Sequence, residues 1–267
     1  MGCAFFLFVW KLINTFVSFL GKKMALCKEE KQEQLYQNVV VMRHGPRLDN
    51  FDESWVQNAG RPWDPPLYDG GEYKELYSET AKKIREEIGA PIHRVFVSPF
   101  RRCLQTASRT MEALSSDGLP QIRAGVELGL AEIMNRKAIW HPPQDGDFKF
   151  VISECESQLP AGTTVCDAER VYDQIPEWEE SEEGARERFM HVFRTLADKY
   201  PRDNLLIVTH GGGVEAAALS STIFSKGSRL RIEYCAYVHF KRPIVTPPLQ
   251  TESHSGIALK PPKKKDA

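Results

Sequence analysis

Histidine and arginine residues recur directly after three separate apolar runs of the chain. The three motifs are Arg43-His44-Gly45-Pro46-Arg47, Ser98-Pro99-Phe100-Arg101-Arg102 and Thr209-His210-Gly211. Arginines that pack together repel one another and lose hydration, so a cluster of them needs an anion to neutralise it. The guanidinium fork matches the oxygen atoms of a phosphoryl group, and the motifs therefore predict a phosphate site.

His44 is the candidate nucleophile of this site. A neutral imidazole is nucleophilic near neutral pH, and in-line attack on phosphorus would give a phosphohistidine. The arginines and the second histidine would donate to the oxygen atoms that carry charge during transfer. Two successive displacements need no metal ion, and the chain has no metal-binding motif such as H-E-x-x-H. We therefore expect neither a metal nor another cofactor.

A carboxylic acid must protonate the departing oxygen in such a reaction. Glu127 and Glu132 are the two candidates, because both follow a predicted strand at residues 121–126. A rival reading is a cysteine phosphatase loop, since Cys103 and Arg109 have the C-x₅-R spacing. That loop needs its cysteine at the end of a strand and glycines to turn amide donors inward, and these residues have neither feature.

The elements that must position these residues alternate between strand and helix. Continuous β-branched runs predict buried strands at 38–42, 94–97 and 205–208. Apolar residues at helical spacing predict helices over about 73–88, 104–114 and 185–197. Strands separated by helices indicate an α/β fold, a three-layer α/β/α sandwich with a mostly parallel sheet. Its strands would end at one edge, where the motifs would meet.

The chain is expected to have four parts. Residues 1–23 form an apolar anchor, since 14 of the 18 residues from Cys3 to Leu20 are apolar. As a helix this stretch would reach ~27 Å, near the thickness of a hydrocarbon core. A linker follows at 24–37, then a domain at 38–243 with an insertion at about 133–180 that could cover a site. A flexible basic tail would occupy 244–267.

Composition limits the partners and the compartment. Lysine plus arginine (35) nearly balances aspartate plus glutamate (36), which gives no global field that would recruit nucleic acid. The six cysteines lack C-x-x-C spacing and are read as reduced thiols of a cytosolic protein. Lysines at 22, 23 and 28 follow the apolar run, so the positive-inside rule keeps the domain at the cytosolic face of a membrane.

Four ordered motifs resemble the histidine phosphatase superfamily, also called the phosphoglycerate mutase-like fold. They are Arg43-His44-Gly45, Ser98-Pro99-x-x-Arg102-x-x-Gln105-Thr106-Ala107, Gly129-Leu130-x-Glu132 and Thr209-His210-Gly211. The resemblance covers about residues 38 to 240. Within the superfamily, Arg43-His44-Gly45-x-Arg47 followed by Asp64-Pro65-Pro66-Leu67 resembles the phosphatase domains of the UBASH3/TULA (Sts) proteins.

The resemblance implies roles for individual residues. It implies that His44 is the phosphorylated nucleophile and that Glu132 is the proton donor. The residues that would bind the phosphoryl group are Arg43, Arg47, Arg102 and His210. Pro46 stands where mutases usually carry a glutamate, which favours hydrolysis. Gly211 replaces the aspartate of the acid phosphatase branch, which disfavours phytase-like chemistry.

Three functions therefore remain to be compared. The first is a phosphomonoesterase that acts on a small phosphorylated molecule or a phosphoprotein. The second is a catalytically silent, membrane-attached module that keeps a phosphate pocket. The third is phosphotransfer of the phosphoglycerate mutase type. The complete set of nucleophile, arginines, second histidine and acid favours the first.

Overall fold

A computed structural model describes residues 35–115, 121–163, 170–221, 223–225, 228–244 and 250–260. Within them lie six strands and six α-helices. The strands are β1 (Tyr36–Arg43), β2 (Arg94–Val97), β3 (Arg123–Val126), β4 (Leu205–Thr209), β5 (Leu230–Pro243) and β6 (Gln250–Leu259). The helices are α1 (Ser54–Asn58), α2 (Leu76–Ile88), α3 (Arg101–Leu114), α4 (Ile152–Glu156), α5 (Glu182–Lys199) and α6 (Gly211–Leu219).

The strands form one sheet in the order β3-β2-β4-β1-β5-β6. The four strands from β3 to β1 are parallel, with Val41 opposite Ile207 and Val95 opposite Leu206. β5 and β6 are antiparallel additions at one side. The mostly parallel α/β sheet predicted from the sequence is confirmed, and all four parallel strands end at one edge.

Successive residues of the central strands pack against opposite helical layers. Val40 and Met42 of β1 lie in a core with α2 and α3, whereas Val39 and Val41 lie in a core with α5 and α6. All four valine and methionine side chains are at most 1% exposed. The β-branched run is apolar throughout because both of its faces are buried. This burial fixes β1, and therefore fixes the direction of His44 beyond its end.

Two helix ends show how local sequence limits the elements. Gly89 follows α2 with φ of 63°, and its N–H donates to the carbonyl of Arg85, so this glycine ends the helix in the left-handed conformation. Ser181 precedes α5 and its hydroxyl accepts from the Gly184 N–H, with Glu182 and Glu183 in the first turn. Hydroxyl capping and early acidic residues both stabilise a helix start.

The prediction of a flexible tail after Pro243 is wrong for β6. Its residues Gln250–Leu259 pair antiparallel with β5 along its length. The strand is mostly polar and lies at the sheet edge, so it lacks the apolar run that marks the buried strands. β5 was also not predicted, because a bulge between Ile232 and Tyr237 interrupts its alternation.

The predicted insertion at 133–180 has little regular structure, as expected, apart from α4. Phe148 of this insertion is fully buried and contacts Phe150 and Trp178, and also Trp63 from outside the insertion. Most aromatic residues of the insertion therefore serve packing. Trp140 is exposed. The predicted anchor at 3–20 lies outside the described residues. No helix in the described part of the chain is long and apolar enough to cross a membrane.

Candidate active site

The three motifs and the predicted acid meet at the carboxyl edge of the sheet. The His44 N–H donates to the Thr209 carbonyl (2.9 Å), and the Ser98 N–H donates to the Val208 carbonyl (3.0 Å). These backbone bonds continue the ladders of β1, β2 and β4 by one residue. The side chains that follow each strand therefore start from a rigid base.

His44 is 2% exposed and presents one ring nitrogen to the cluster. Its Nδ1 lies 2.7 Å from the Gly45 carbonyl, which can only accept, so Nδ1 carries the proton and Nε2 holds the lone pair. Arg102 Nε donates to Nε2 at 3.2 Å. Burial, followed by the charges of Arg102 and Arg43, lowers the His44 pKa well below its usual 6.5. The imidazole is therefore neutral, with its lone pair toward the guanidinium.

Gly45 allows the close approach that completes this turn. A Cβ atom at this position would lie 2.4 Å from the Tyr77 hydroxyl oxygen. The Gly45 N–H donates to Thr106 Oγ1 (3.0 Å), and that hydroxyl donates to the Arg102 carbonyl (2.7 Å). The turn after β1 is thus tied to the first turns of α3, which carry Arg102.

Arg102 lies at the centre of the cluster and is 1% exposed. Its Nη2 is 3.4 Å from Glu132 Oε2 and 3.2 Å from His210 Nδ1. Its Nη1 and the Nε of Arg43 are buried and have no hydrogen-bond partner among the described residues. Buried guanidinium nitrogens without acceptors are costly, and an anion between these two arginines would supply the missing acceptors.

Arg43 and Arg47 are held by different contacts. Arg43 Nη1 donates to the Ile232 carbonyl (2.5 Å), and its guanidinium carbon lies 4.5 Å from the centre of the Tyr234 ring. Arg47 makes a two-point ion pair with Asp49, at 3.0 and 2.5 Å. Both arginines line the cavity, but a ligand must share Arg47 with Asp49.

His210 is fully buried and is oriented by two polar groups. Its Nε2 lies 2.8 Å from the Ser98 hydroxyl, and its Nδ1 lies 3.2 Å from Glu132 Oε2. Burial is the largest influence and lowers the His210 pKa to about 4, although Glu132 opposes this change. The structure thus gives a role to Ser98, a residue of the second sequence motif. Its hydroxyl orients the ring of His210.

The structure separates the two candidate acids. Glu132 lines the cavity, while the Glu127 carboxylate accepts the backbone N–H groups of Gly129, Val171 and Tyr172 at 2.7 to 3.1 Å. Glu127 therefore holds loops together. Interactions with His210 and Arg102 and the N–H of Ile133 outweigh burial and hold the Glu132 pKa below its usual range.

A cavity of about 330 Å³ opens over Arg43, His44, Arg47 and Glu132. The rest of its walls are formed by Ile133, Ala138, Glu182, Arg186, Phe189, Gly211, Gly212 and Glu215. Gly211 and Gly212 begin α6, whose N-terminal end therefore faces the cavity. The positive end of a helix dipole favours an anion there.

Three of the clustered side chains could in principle ligate a metal. The donor atoms of His44, Glu132 and His210 lie within 4.8 Å of one another. The Arg102 guanidinium lies within 3.4 Å of all three, however. A divalent cation would have to displace it while facing Arg43 nearby. The three side chains fit a guanidinium better than a metal ion.

The cysteine alternative is not supported by the geometry. Cys103 is fully buried inside α3, and burial raises the pKa of its thiol. Arg109 pairs with Asp69 and lies over the Tyr77 ring, so it does not reach the cluster. A neutral, inaccessible thiol is a poor nucleophile. Asp64, the first residue of the Asp64-Pro65-Pro66-Leu67 motif, accepts a hydrogen bond from the Arg101 N–H (2.7 Å) at the start of α3.

The fold and this edge define a known class of protein. A family model of the histidine phosphatase superfamily (branch 1) matches residues 39–242. The chain belongs to the histidine phosphatase superfamily.

The similarity to individual proteins is limited to a short stretch of sequence or to the fold. The chain is 36% identical to the ecdysteroid-phosphate phosphatase of Bombyx mori over 76 residues, which are 28% of this chain and 11% of that protein. The crystal structure of the Bombyx mori ecdysone phosphate phosphatase in complex with tungstate is similar in fold. The alignment covers 86% of this chain and 96% of that chain, at 19% sequence identity and a TM-score of 0.56. The alignment with a phosphoglycerate mutase from Bacillus anthracis covers 81% of this chain and 92% of that chain, at 14% sequence identity and a TM-score of 0.50. These structures share the fold.

Proposed function

We propose that this protein hydrolyses phosphomonoesters without a metal, through a phosphohistidine on His44. One observation carries the proposal: a buried neutral imidazole has its lone pair directed at Arg102, and Arg102 Nη1 and Arg43 Nε are buried without acceptors among the described residues. A phosphoryl group between Arg43 and Arg102 would satisfy these atoms and bring phosphorus to His44 Nε2. Arg47 and His210 would complete the oxygen contacts.

The first displacement transfers the phosphoryl group to His44 and releases an alcohol. The His44 Nε2–phosphorus bond forms as the phosphorus–ester oxygen bond breaks, and a proton must reach that oxygen. Glu132 is our proposed donor. In the free site, Arg102 and His210 hold the Glu132 pKa low. A bound phosphate dianion would draw Arg102 away and add negative charge, and both effects raise this pKa. Water then attacks phosphorus as the His44 Nε2–phosphorus bond breaks, Glu132 takes up the proton of the water, and inorganic phosphate leaves the neutral imidazole.

Hydrolysis is favoured over the alternative functions by particular residues. The full set of groups is present, which a silent binding module would not need. Pro46 stands where mutases usually carry a glutamate, and this difference favours hydrolysis over phosphotransfer of the mutase type.

The substrate is proposed at the level of class. The substrate class is a small phosphorylated molecule or a phosphoprotein, and the ecdysteroid-phosphate named for the Bombyx mori relative is one member to test. The finer resemblance to UBASH3/TULA phosphatase domains adds phosphotyrosine peptides to that panel. Sugar phosphates and nucleotides complete it.

The direct test of the proposed function is hydrolysis of p-nitrophenyl phosphate with and without EDTA. Equal rates in both conditions are expected, because guanidinium and helix-dipole contacts replace a metal. Loss of the activity in EDTA, restored by a divalent ion, would contradict the metal-free mechanism. No hydrolysis of any substrate in the panel, despite measurable tungstate binding, would favour the silent module.

The lowered pKa of His44 predicts activity that extends to acidic pH. Only the neutral imidazole can attack, so kcat/KM falls when His44 gains a proton. Because burial and the two arginines hold this pKa well below 6.5, the acid limb is expected well below that pH. A profile of kcat/KM against pH, corrected for ionisation of the substrate, measures it. An acid limb at 6.5 or above would contradict this account.

Membrane attachment through residues 3–20 remains our proposal, with the domain at the cytosolic face. The full chain is expected to float with neutral phosphatidylcholine vesicles in a density gradient, because its apolar segment would be buried. A chain that begins at residue 24 is expected to stay at the bottom, with unchanged hydrolysis of p-nitrophenyl phosphate. Equal flotation of the two chains would contradict the role of this segment.

A further inference from the structure

The backbone that leads into Glu132 is held by side chains from other elements. Four successive carbonyls, those of residues 129 to 132, each accept a hydrogen bond from a side chain. Arg188 Nη1 donates to Gly129 (2.6 Å) and Ala131 (3.2 Å), and its Nη2 lies 3.4 Å from the Glu132 carbonyl. Thr209 Oγ1 donates to the Leu130 carbonyl (2.8 Å).

Glu180 holds the chain on the other side of Glu132. It pairs with Arg188 through both carboxylate oxygens, each at 2.7 Å. Its backbone N–H donates to the Met134 carbonyl (3.1 Å), and its carbonyl accepts from Asn135 Nδ2 (3.0 Å). The two members of one ion pair therefore bind the backbone before and after the proposed acid.

The arrangement depends on the shape of arginine. Arg188 is 5% exposed on α5, and one planar guanidinium reaches three carbonyls and a carboxylate. A lysine ammonium is a compact charge and cannot span the same acceptors. Glu132 Oε2 lies 3.2 Å from His210 Nδ1 at the far end of this segment. A shift of about 1 Å in catalytic geometry can cost about 10²-fold in rate.

We propose that the Arg188–Glu180 pair is the positioning device for the proton donor Glu132. This role rests on the proposed function. Neither residue lies among the proposed phosphate-binding groups, so the pair acts mainly through the proton transfers of Glu132. In the first displacement, which kcat/KM reports, the effect is therefore confined to substrates whose leaving group needs a proton.

The test compares two substrates in the same enzyme sample. Glycerol 2-phosphate releases a basic alkoxide that needs an acid, whereas p-nitrophenyl phosphate releases a stable phenolate. Arg188→Lys is expected to lower kcat/KM for glycerol 2-phosphate about 10²-fold, the low end of general acid catalysis, and to change that for p-nitrophenyl phosphate little. Glu180→Gln should change the ratio in the same direction by less. Arg194→Lys, at an exposed position of the same helix, is the matched control.

The ratio of the two kcat/KM values is independent of how much of a variant is folded. An equal loss with both substrates in Arg188→Lys and Glu180→Gln would show a general structural role and overturn the proposal. An unchanged glycerol 2-phosphate rate would also overturn it. Wild-type enzyme that hydrolyses neither substrate would instead overturn the proposed function, and this positioning role with it.

Discussion

Replacing His44 with alanine is expected to lower kcat by about 10⁴-fold or more, because it removes the group that forms the covalent intermediate. The arginines, His210 and Glu132 stay in place, so binding of tungstate should persist. Steady-state hydrolysis of p-nitrophenyl phosphate and calorimetric tungstate binding together measure the two effects. Activity should be lost while the anion site remains.

The matched control is His141→Ala, at an exposed histidine outside the cluster. It is expected to keep wild-type kinetics. His44→Gln keeps a polar side chain of similar size without a nucleophilic nitrogen, and it should be as inactive as the alanine variant. Substantial turnover by both His44 variants would remove this residue from the mechanism.

Replacing Arg102 with methionine is expected to lower kcat/KM about 10² to 10³-fold, the loss typical of one preorganised donor to transition-state charge. Methionine keeps much of the volume of a side chain that is 1% exposed, which limits the packing defect. The same change removes a nearby positive charge that lowers the His44 pKa. The acid limb of the pH profile should therefore move to higher pH.

Two further variants separate charge from shape at this position. Arg102→Lys keeps a charge but lacks the fork that reaches His44, Glu132 and His210, so it should lose activity with a smaller movement of the acid limb. Arg101→Met changes the neighbouring exposed arginine and leaves intact its backbone N–H, which Asp64 binds. It should resemble wild type. Equal losses at positions 101 and 102 would contradict the assignment.

The central part of the fold was predictable because it has a strong local pattern. The central residues of β1 (39–42), β2 (95–97) and β4 (205–208) are all apolar, which follows from helical layers on both faces of the sheet. α2 was bounded by Gly89. β5 and β6 lack such a pattern, since a bulge interrupts one and polar edge residues form the other. Their pairing depends on contacts that no short stretch of sequence records.

The sequence was sufficient to predict which residues meet at the site. Chain order and strand ends were sufficient to bring His44, Arg102 and His210 together, because parallel strands share one edge. Three contacts were not predictable. Arg47 pairs with Asp49, Glu127 holds loops together, and Arg188 binds the backbone that leads into Glu132. Each depends on loop geometry, where neither periodicity nor motif spacing determines which polar groups meet.

Rapid quenching of the working enzyme shows directly whether His44 becomes phosphorylated during turnover. ³²P-labelled substrate is mixed with wild-type protein, quenched in base within milliseconds, and digested for mapping of the label. We expect an acid-labile, base-stable phosphoryl adduct on the peptide that contains His44, absent from His44→Ala. An active enzyme that carries no such adduct, or carries the label on another residue, would contradict the proposed mechanism.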